Sequence, residues 1–109
     1  MPNKLVWILV NSNTKAEAEK IGKEVLKKRL CACYALIPRI KSVYFWPPQS
    51  DKFESSRGPL LVLETLPENA GKISSLVKKL HSDRVPFIGQ IEIGNLNKDF
   101  FNWLKTEIT

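Results

Sequence analysis

Cys31, Cys33, His81 and Asp83 are the residues of this chain whose types suit chemistry best. Thiolates are soft ligands that select copper(I) or zinc, and an imidazole suits either metal. Asp83, two positions after the only histidine, is placed to orient the imidazole as carboxylates do behind metal-bound histidines. The cysteine spacing is awkward for one ion. Residues two apart on a strand are separated by about 6.7 Å along the chain. Two thiolates on one tetrahedral zinc lie roughly 3.8 Å apart. Copper(I), which accepts near-linear thiolate pairs, strains such a pair less. The competing reading makes each cysteine a small buried hydrophobe. It makes His81 a helix-terminal residue favoured by the dipole and the free carbonyls, and Asp83 a surface partner of Arg84.

No nucleophile, base and orienter set is visible, since a triad needs a histidine beside its nucleophile. The five glycines are dispersed, so no phosphate-cradling loop appears. The expectation is a protein that is not an enzyme.

These residues must be positioned by a short chain. It has 109 residues, 43% hydrophobic and 26% charged, which suits one domain over 1–109. No apolar run reaches the roughly 20 residues that span a bilayer. Met1-Pro2-Asn3-Lys4 leads straight into a strand-like run without the regions of a signal peptide, so a cytoplasmic location is expected. Two cysteines this close close no useful loop, which fits a reducing compartment. The net charge is +6, with a dense group at Lys20, Lys23, Lys27, Lys28 and Arg29. No aromatics interleave with that group, so it reads as a solvated helix face and no nucleic-acid partner is expected.

Leu5 to Val10 is a continuous apolar run typical of a buried strand. Thr14 with Glu17 is a capping-box pattern that opens a helix. Ala18, Ile21, Gly22, Val25 and Leu26 recur at helical spacing. Gly22 lets that helix approach a sheet closely. Cys31 to Ile37 reads as a strand with Cys31, Cys33, Ala35 and Ile37 on one face. Ile40 to Trp46 continues as a strand after the break at Pro38, with Tyr44 and Trp46 on one side. Residues 47–58 read as a loop, 60–64 as a strand, and Ala70, Ile73, Leu76, Val77 and Leu80 as a second amphipathic stripe. Pro86 to Ile93 is the last strand, and a short helix follows from about Asn97.

The order β-α-β-β-α-β plus a terminal helix predicts an α+β, ferredoxin-like sandwich. Tyr34, Tyr44, Phe45, Trp46, Phe53 and Trp103 are too many large aromatics for one thin core, so part of the set is expected at an interface. Glu64 and Glu92 fit solvated rim positions.

The run from Arg29 to Trp46 resembles the signature of the CutA family of divalent-ion-tolerance proteins. In that family a helix ending in Arg-Leu is followed by an Ala-Cys strand and an Ile-Pro-x-Ile-x-Ser-x-Tyr-x-Trp segment. Leu61 to Thr65, Leu80 to Ile88 and Phe100 to Leu104 resemble three further family motifs in the same order. The resemblance implies a homotrimer of ferredoxin-like subunits and a link to divalent-cation tolerance, copper being the metal most often associated. It implies polar residues gathered in grooves between subunits, with no enzymatic activity firmly attached. Carried onto this chain, it points to Cys33 and His81 as metal ligands, which Asp83 and Cys31 join on their residue chemistry and not on the family pattern. It points to Tyr44, Trp46 and Trp103 as groove or interface residues, with Glu64 and Arg84 expected there too at positions where this chain departs from the family's residues. The chain departs from the family's Leu-His-Pro-Tyr-Glu-Val-Pro-Glu-Ile motif at Ser82, Asp83, Arg84 and Phe87, exchanging two carboxylates for a cation and a phenyl ring. The alternative is therefore a trimer that binds a small anion or a partner protein without metal. An RNA-binding sheet is disfavoured, because the strands lack the aromatic-and-glycine pattern of that module. An acylphosphatase-like enzyme lacks the arginine-bearing loop after the first strand.

Overall fold

The computed structural model describes residues 3–108, so the part of the leader reading that rests on Met1 and Pro2 lies outside them. Strand β1 (Leu5–Asn11) leads into α1 (Lys15–Lys27), then β2 (Cys33–Ile37), β3 (Ser42–Phe45), β4 (Phe53–Ser56) and β5 (Leu60–Thr65). A 3-10 turn (Pro67–Asn69) precedes α2 (Ala70–Leu80), β6 (Ile88–Ile93) and α3 (Lys98–Glu107). Four strands form an antiparallel sheet in the order β2-β5-β1-β6, and β3 pairs with β4 apart from it. This is the ferredoxin-like fold.

The expected loop over 47–58 is therefore corrected: Phe53–Ser56 is a strand. Its serine-rich sequence carries little strand propensity. Pairing supplies the order, with Phe45 opposite Phe53 and Tyr44 opposite Glu54. The segment from Ile40 to Trp46 shortens to Ser42–Phe45 and belongs to this two-stranded arm, not to the main sheet.

Alternation along the central strands sorts the side chains. Val6, Ile8 and Val10 of β1 and Leu61 and Leu63 of β5 join Ala18, Ile21 and Val25 of α1 and Ile73 and Val77 of α2 in one buried cluster. The other face carries Trp7, Leu9, Glu64, Cys33, Ala35, Ile37 and Ile91, and neither α1 nor α2 covers it. A Cβ at Gly22 would lie 2.6 Å from the Tyr34 ring, so only glycine lets α1 seat on β2 there. The Tyr34 hydroxyl then donates to Glu19 Oε1 at 2.6 Å, and that bond pushes its pKa up to about 12.

Helix α1 ends in a Schellman turn. Leu30 N–H donates to Val25 O, Arg29 N–H to Leu26 O, and Arg29 takes the left-handed conformation at φ 56°. This turn has a consequence for the cysteines. The chain re-enters the core at Cys31, which is 1% exposed and part of the buried cluster, and β2 begins only at Cys33. The two cysteines thus do not share a strand face, which corrects the alternation expected over 31–37.

Candidate functional site

His81 ends α2 and is held at the end of β1. Its side chain has no exposed surface. Nε2 lies 2.6 Å from the carbonyl oxygen of Asn11, and Nδ1 lies 2.9 Å from the backbone nitrogen of Asp83. A carbonyl only accepts and a backbone N–H only donates, so the tautomer follows: Nε2 carries the proton and Nδ1 accepts. Both ring nitrogens are spent, and a metal ion would have to displace one of these bonds.

The same knot fixes the turn after His81. Glu17 Oε1 accepts from Asn13 N–H at 2.9 Å and Oε2 accepts from Ser82 N–H at 2.7 Å. Thr14 caps Glu17 N–H at 3.0 Å, so the capping box is present, with the glutamate reaching Asn13 instead of the cap residue. Burial works to raise the Glu17 pKa, but the donors from Asn13 and Ser82 and the nearby His81 outweigh it and hold it below its usual value. Asn13 Nδ2 completes the knot by donating to Ser82 Oγ at 3.0 Å and Asp83 Oδ1 at 2.8 Å.

This turn forms one wall of a groove of about 520 Å³, a volume in the small-molecule range. The β3–β4 arm forms the other wall, with Ser42, Tyr44, Glu54 and Ser56 on its inner side. Asn11 and Asn13 also line it, and Val85 and Phe87 add an apolar margin. The Arg84 guanidinium stands 5.7 Å from the centroid of Trp46. Arg39 fixes the base of the arm. Its Nε donates to Gly58 O at 2.7 Å, Nη2 to Ser12 O at 2.9 Å, and Nη1 to Ser42 Oγ.

The cysteines lie elsewhere. Cys33 pairs with Glu64, whereas Asn11 pairs with Leu60 of the same strand. Four residues of strand separate these positions, roughly 13 Å at the usual rise. Burial pushes the Cys33 thiol up, and the neighbouring Glu64 carboxylate adds to the rise. Burial pushes Cys31 to about 12. A protonated thiol is a poor ligand and a poor nucleophile. Glu64 Oε2 accepts from Trp7 Nε1 at 2.9 Å on the face that α1 and α2 leave uncovered.

Of the residues selected from sequence, the structure brings His81 and Asp83 together and sets Tyr44, Trp46 and Arg84 around one groove. It does not bring Cys31 or Cys33 to His81. Among the described residues no three metal-binding side chains of the His, Cys, Asp and Glu types converge. Glu64 sits beside Trp7 and Cys33. Trp103 stacks on Phe100 at 5.4 Å and borders a small cleft with Cys31 and Arg29. Sequence reasoning missed Glu54, Asn13 and Arg39. Glu54 was legible only once the second arm strand is known.

No helix among the described residues is long and apolar enough to cross a membrane. The sequence profile of the CutA1 divalent ion tolerance protein family matches residues 6–107. The divalent-cation tolerance protein CutA of Archaeoglobus fulgidus is 32% identical over 98 residues, covering 90% of this chain and 92% of that protein. Its namesake from Thermus thermophilus is 30% identical over the same shares. A solved structure described as the periplasmic divalent cation tolerance protein CutA from A. fulgidus superposes with a TM-score of 0.88 at 28% identity, covering 96% of this chain and 99% of that one. CutA1 from Oryza sativa shares the fold at a TM-score of 0.89 and 23% identity, covering 99% of this chain and 96% of that one. A ferredoxin-like sheet with a separate arm, the Arg29–Trp46 signature and this near-complete match agree: the chain belongs to the CutA1 family of divalent ion tolerance proteins.

Proposed function

We propose that this chain serves divalent-cation tolerance as a non-enzymatic homotrimer whose working site is the groove between the arm and the Ser82–Phe87 segment. On this reading the groove takes a small polar organic molecule and not a metal ion held by cysteine and histidine. One observation carries it: the buried imidazole of His81 has both nitrogens engaged by backbone groups of fixed polarity. Copper, the metal the resemblance brings, then meets one partly accessible thiol, Cys33, whose proton it must displace against a pKa raised by burial and by Glu64. Its uptake is weak. The relatives bear the name of tolerance proteins, in keeping with a binding role. The unpaired cysteines suit a cytoplasmic address, where thiols stay reduced.

Apolar surface supports the assembly. Phe45 and Phe53 stack at 5.2 Å on the arm while 66% and 70% exposed, and Ile37 and Ile91 stand half exposed on the sheet face that α1 and α2 leave bare. An isolated two-stranded arm is marginal in water, and burial of these side chains against other subunits would order it.

Native mass spectrometry of the protein with copper under reducing conditions tests both parts. The expected result is a three-subunit species without stoichiometric copper. One tightly held copper per subunit, lost in a Cys33→Ala, His81→Gln double variant, would restore the metal site. A monomer would remove the assembly.

A further inference from the structure

We infer, building on the groove reading above, that the groove binds an organic cation, a small molecule bearing a guanidinium or amine, and that Arg84 is its built-in stand-in. The charges inside the groove select the class. Among its lining residues Glu54 and Asp83 are the carboxylates and Arg84 the cation, a formal charge of −1, while Arg39 sits behind the wall with its guanidinium committed to Ser42, Gly58 and Ser12. Among the described residues no ion pair includes Glu54. Asp83 Oδ1 accepts from the neutral Asn13 amide, and its Oδ2 stands 4.0 Å from His81 Nδ1, a pair only when the imidazole is protonated. A free anion would meet two like charges against one guanidinium. A cation meets two carboxylates and two aromatic rings, Tyr44 and Trp46.

The position that such a cation would take is already marked. Arg84 extends from the turn after His81 and lays its guanidinium over the Trp46 ring. The ring quadrupole attracts any desolvated cation placed there. Arg84 is an exposed side chain on a long stem, so leaving the ring for solvent costs it little. A ligand cation replaces it on Trp46, gains the carboxylate of Glu54, and finds the Ser56 hydroxyl along the arm wall, the Ser42 oxygen being taken by Arg39. The chain's excess positive charge includes the lysines of α1 and α2, which stand exposed on the helices. At physiological salt their field is largely screened beyond about 8 Å.

The test is a titration with agmatine, which carries a guanidinium and an ammonium, followed through the indole N–H signals of the three tryptophans by NMR. The expected result is a saturable shift of Trp46, with Trp7 and Trp103 unmoved. Arg84→Ala should tighten binding about threefold by clearing the ring. Glu54→Gln, an exposed substitution that leaves the fold intact, should weaken it about threefold or more. Looser or unchanged binding in Arg84→Ala overturns the stand-in role. A parallel titration with inorganic phosphate separates the inference from the reading beneath it. If phosphate moves Trp46 and agmatine does not, the groove stands and the cation class falls. If neither moves it, both fall.

Discussion

The two ends of strand β5 withhold metal-binding groups by opposite means. At the Leu60 end, His81 is saturated: each nitrogen already has a backbone partner, and the carboxylate of Glu17 is equally committed. At the Glu64 end, the cysteines are withheld by burial and by a neighbouring negative charge. Saturation leaves polar groups organised beside an open groove, where Asp83, Arg84 and Glu54 stay available. Burial removes Cys31 altogether and leaves only the partly accessible Cys33. The chemical type of a side chain therefore says less about a site than whether its lone pairs are free.

The hydrogen-bonded end should break most severely at Gly58. A Cβ there would overlap the carbonyl of Ser12, which also accepts from Arg39. Backbone cannot yield as a flexible side chain can, so Gly58→Ala should cost about 3 kcal/mol. Amide exchange across Ser42–Ser56 should quicken, since Arg39 anchors the arm to this point. A loss below about 1 kcal/mol in a denaturant titration would show that the arm is held by other means.

The buried end should respond to polarity. Cys31→Ser places a hydroxyl in the apolar cluster and should cost about 2 kcal/mol. Cys33→Ser, on the partly exposed face, should cost under about 0.5 kcal/mol. Equal costs would erase the distinction between the two cysteines. The pH dependence has a fixed sign. Folding raises the Cys31 pKa from 9.0 to about 12, so its contribution is whole below pH 9 and lost as pH rises towards 12. Cys31→Ala should flatten that alkaline decline.

Glu17 sharpens the contrast from the acid side. Its folded pKa is lowered, so its contribution is present above its ordinary value of 4.5 and lost as pH falls below that value through the lowered one. Glu17→Gln keeps one acceptor and loses the charge, costing about 1 kcal/mol at neutral pH. The variant should lose less stability than the parent between pH 4.5 and pH 3. Parallel acid profiles would mean that the Asn13 and Ser82 bonds do not favour the charged form.

Much of this frame was legible in the sequence. The helical stripes, the capping pair Thr14 and Glu17 and the close approach at Gly22 are local signals, and the structure uses them as expected except at Leu26, which the first stripe places in the core and the structure leaves exposed. Tyr44 and Trp46 were legible through the resemblance and Arg84 as a departure from it, and all three line one groove. The failures share a cause. Strand Phe53–Ser56 exists through its pairing with β3, which no local propensity reports. The face of Cys31 depends on a left-handed residue at Arg29, where a helix terminus commonly shows glycine. The engagement of His81 depends on the Asn11 carbonyl, 70 residues away in the chain.

That left-handed turn gives the smallest expected effect and the finest probe of the buried end. A non-glycine residue in this conformation costs about 1 kcal/mol, so Arg29→Gly should stabilise through the backbone. The same change removes the 3.0 Å pair between Arg29 Nη1 and Glu107 Oε1 and the bond to the Glu107 carbonyl, which tie α3 to the end of α1. Both partners are well exposed, so the ion pair is worth about 0.5 kcal/mol. The two terms nearly cancel, and the net change should be a gain of at most about 0.5 kcal/mol, with the Trp103 indole signal displaced as α3 loosens. A clear loss of stability would mean that Arg29 is kept for its grip on α3, and that the cleft beside Cys31 is closed by that helix and not by the core.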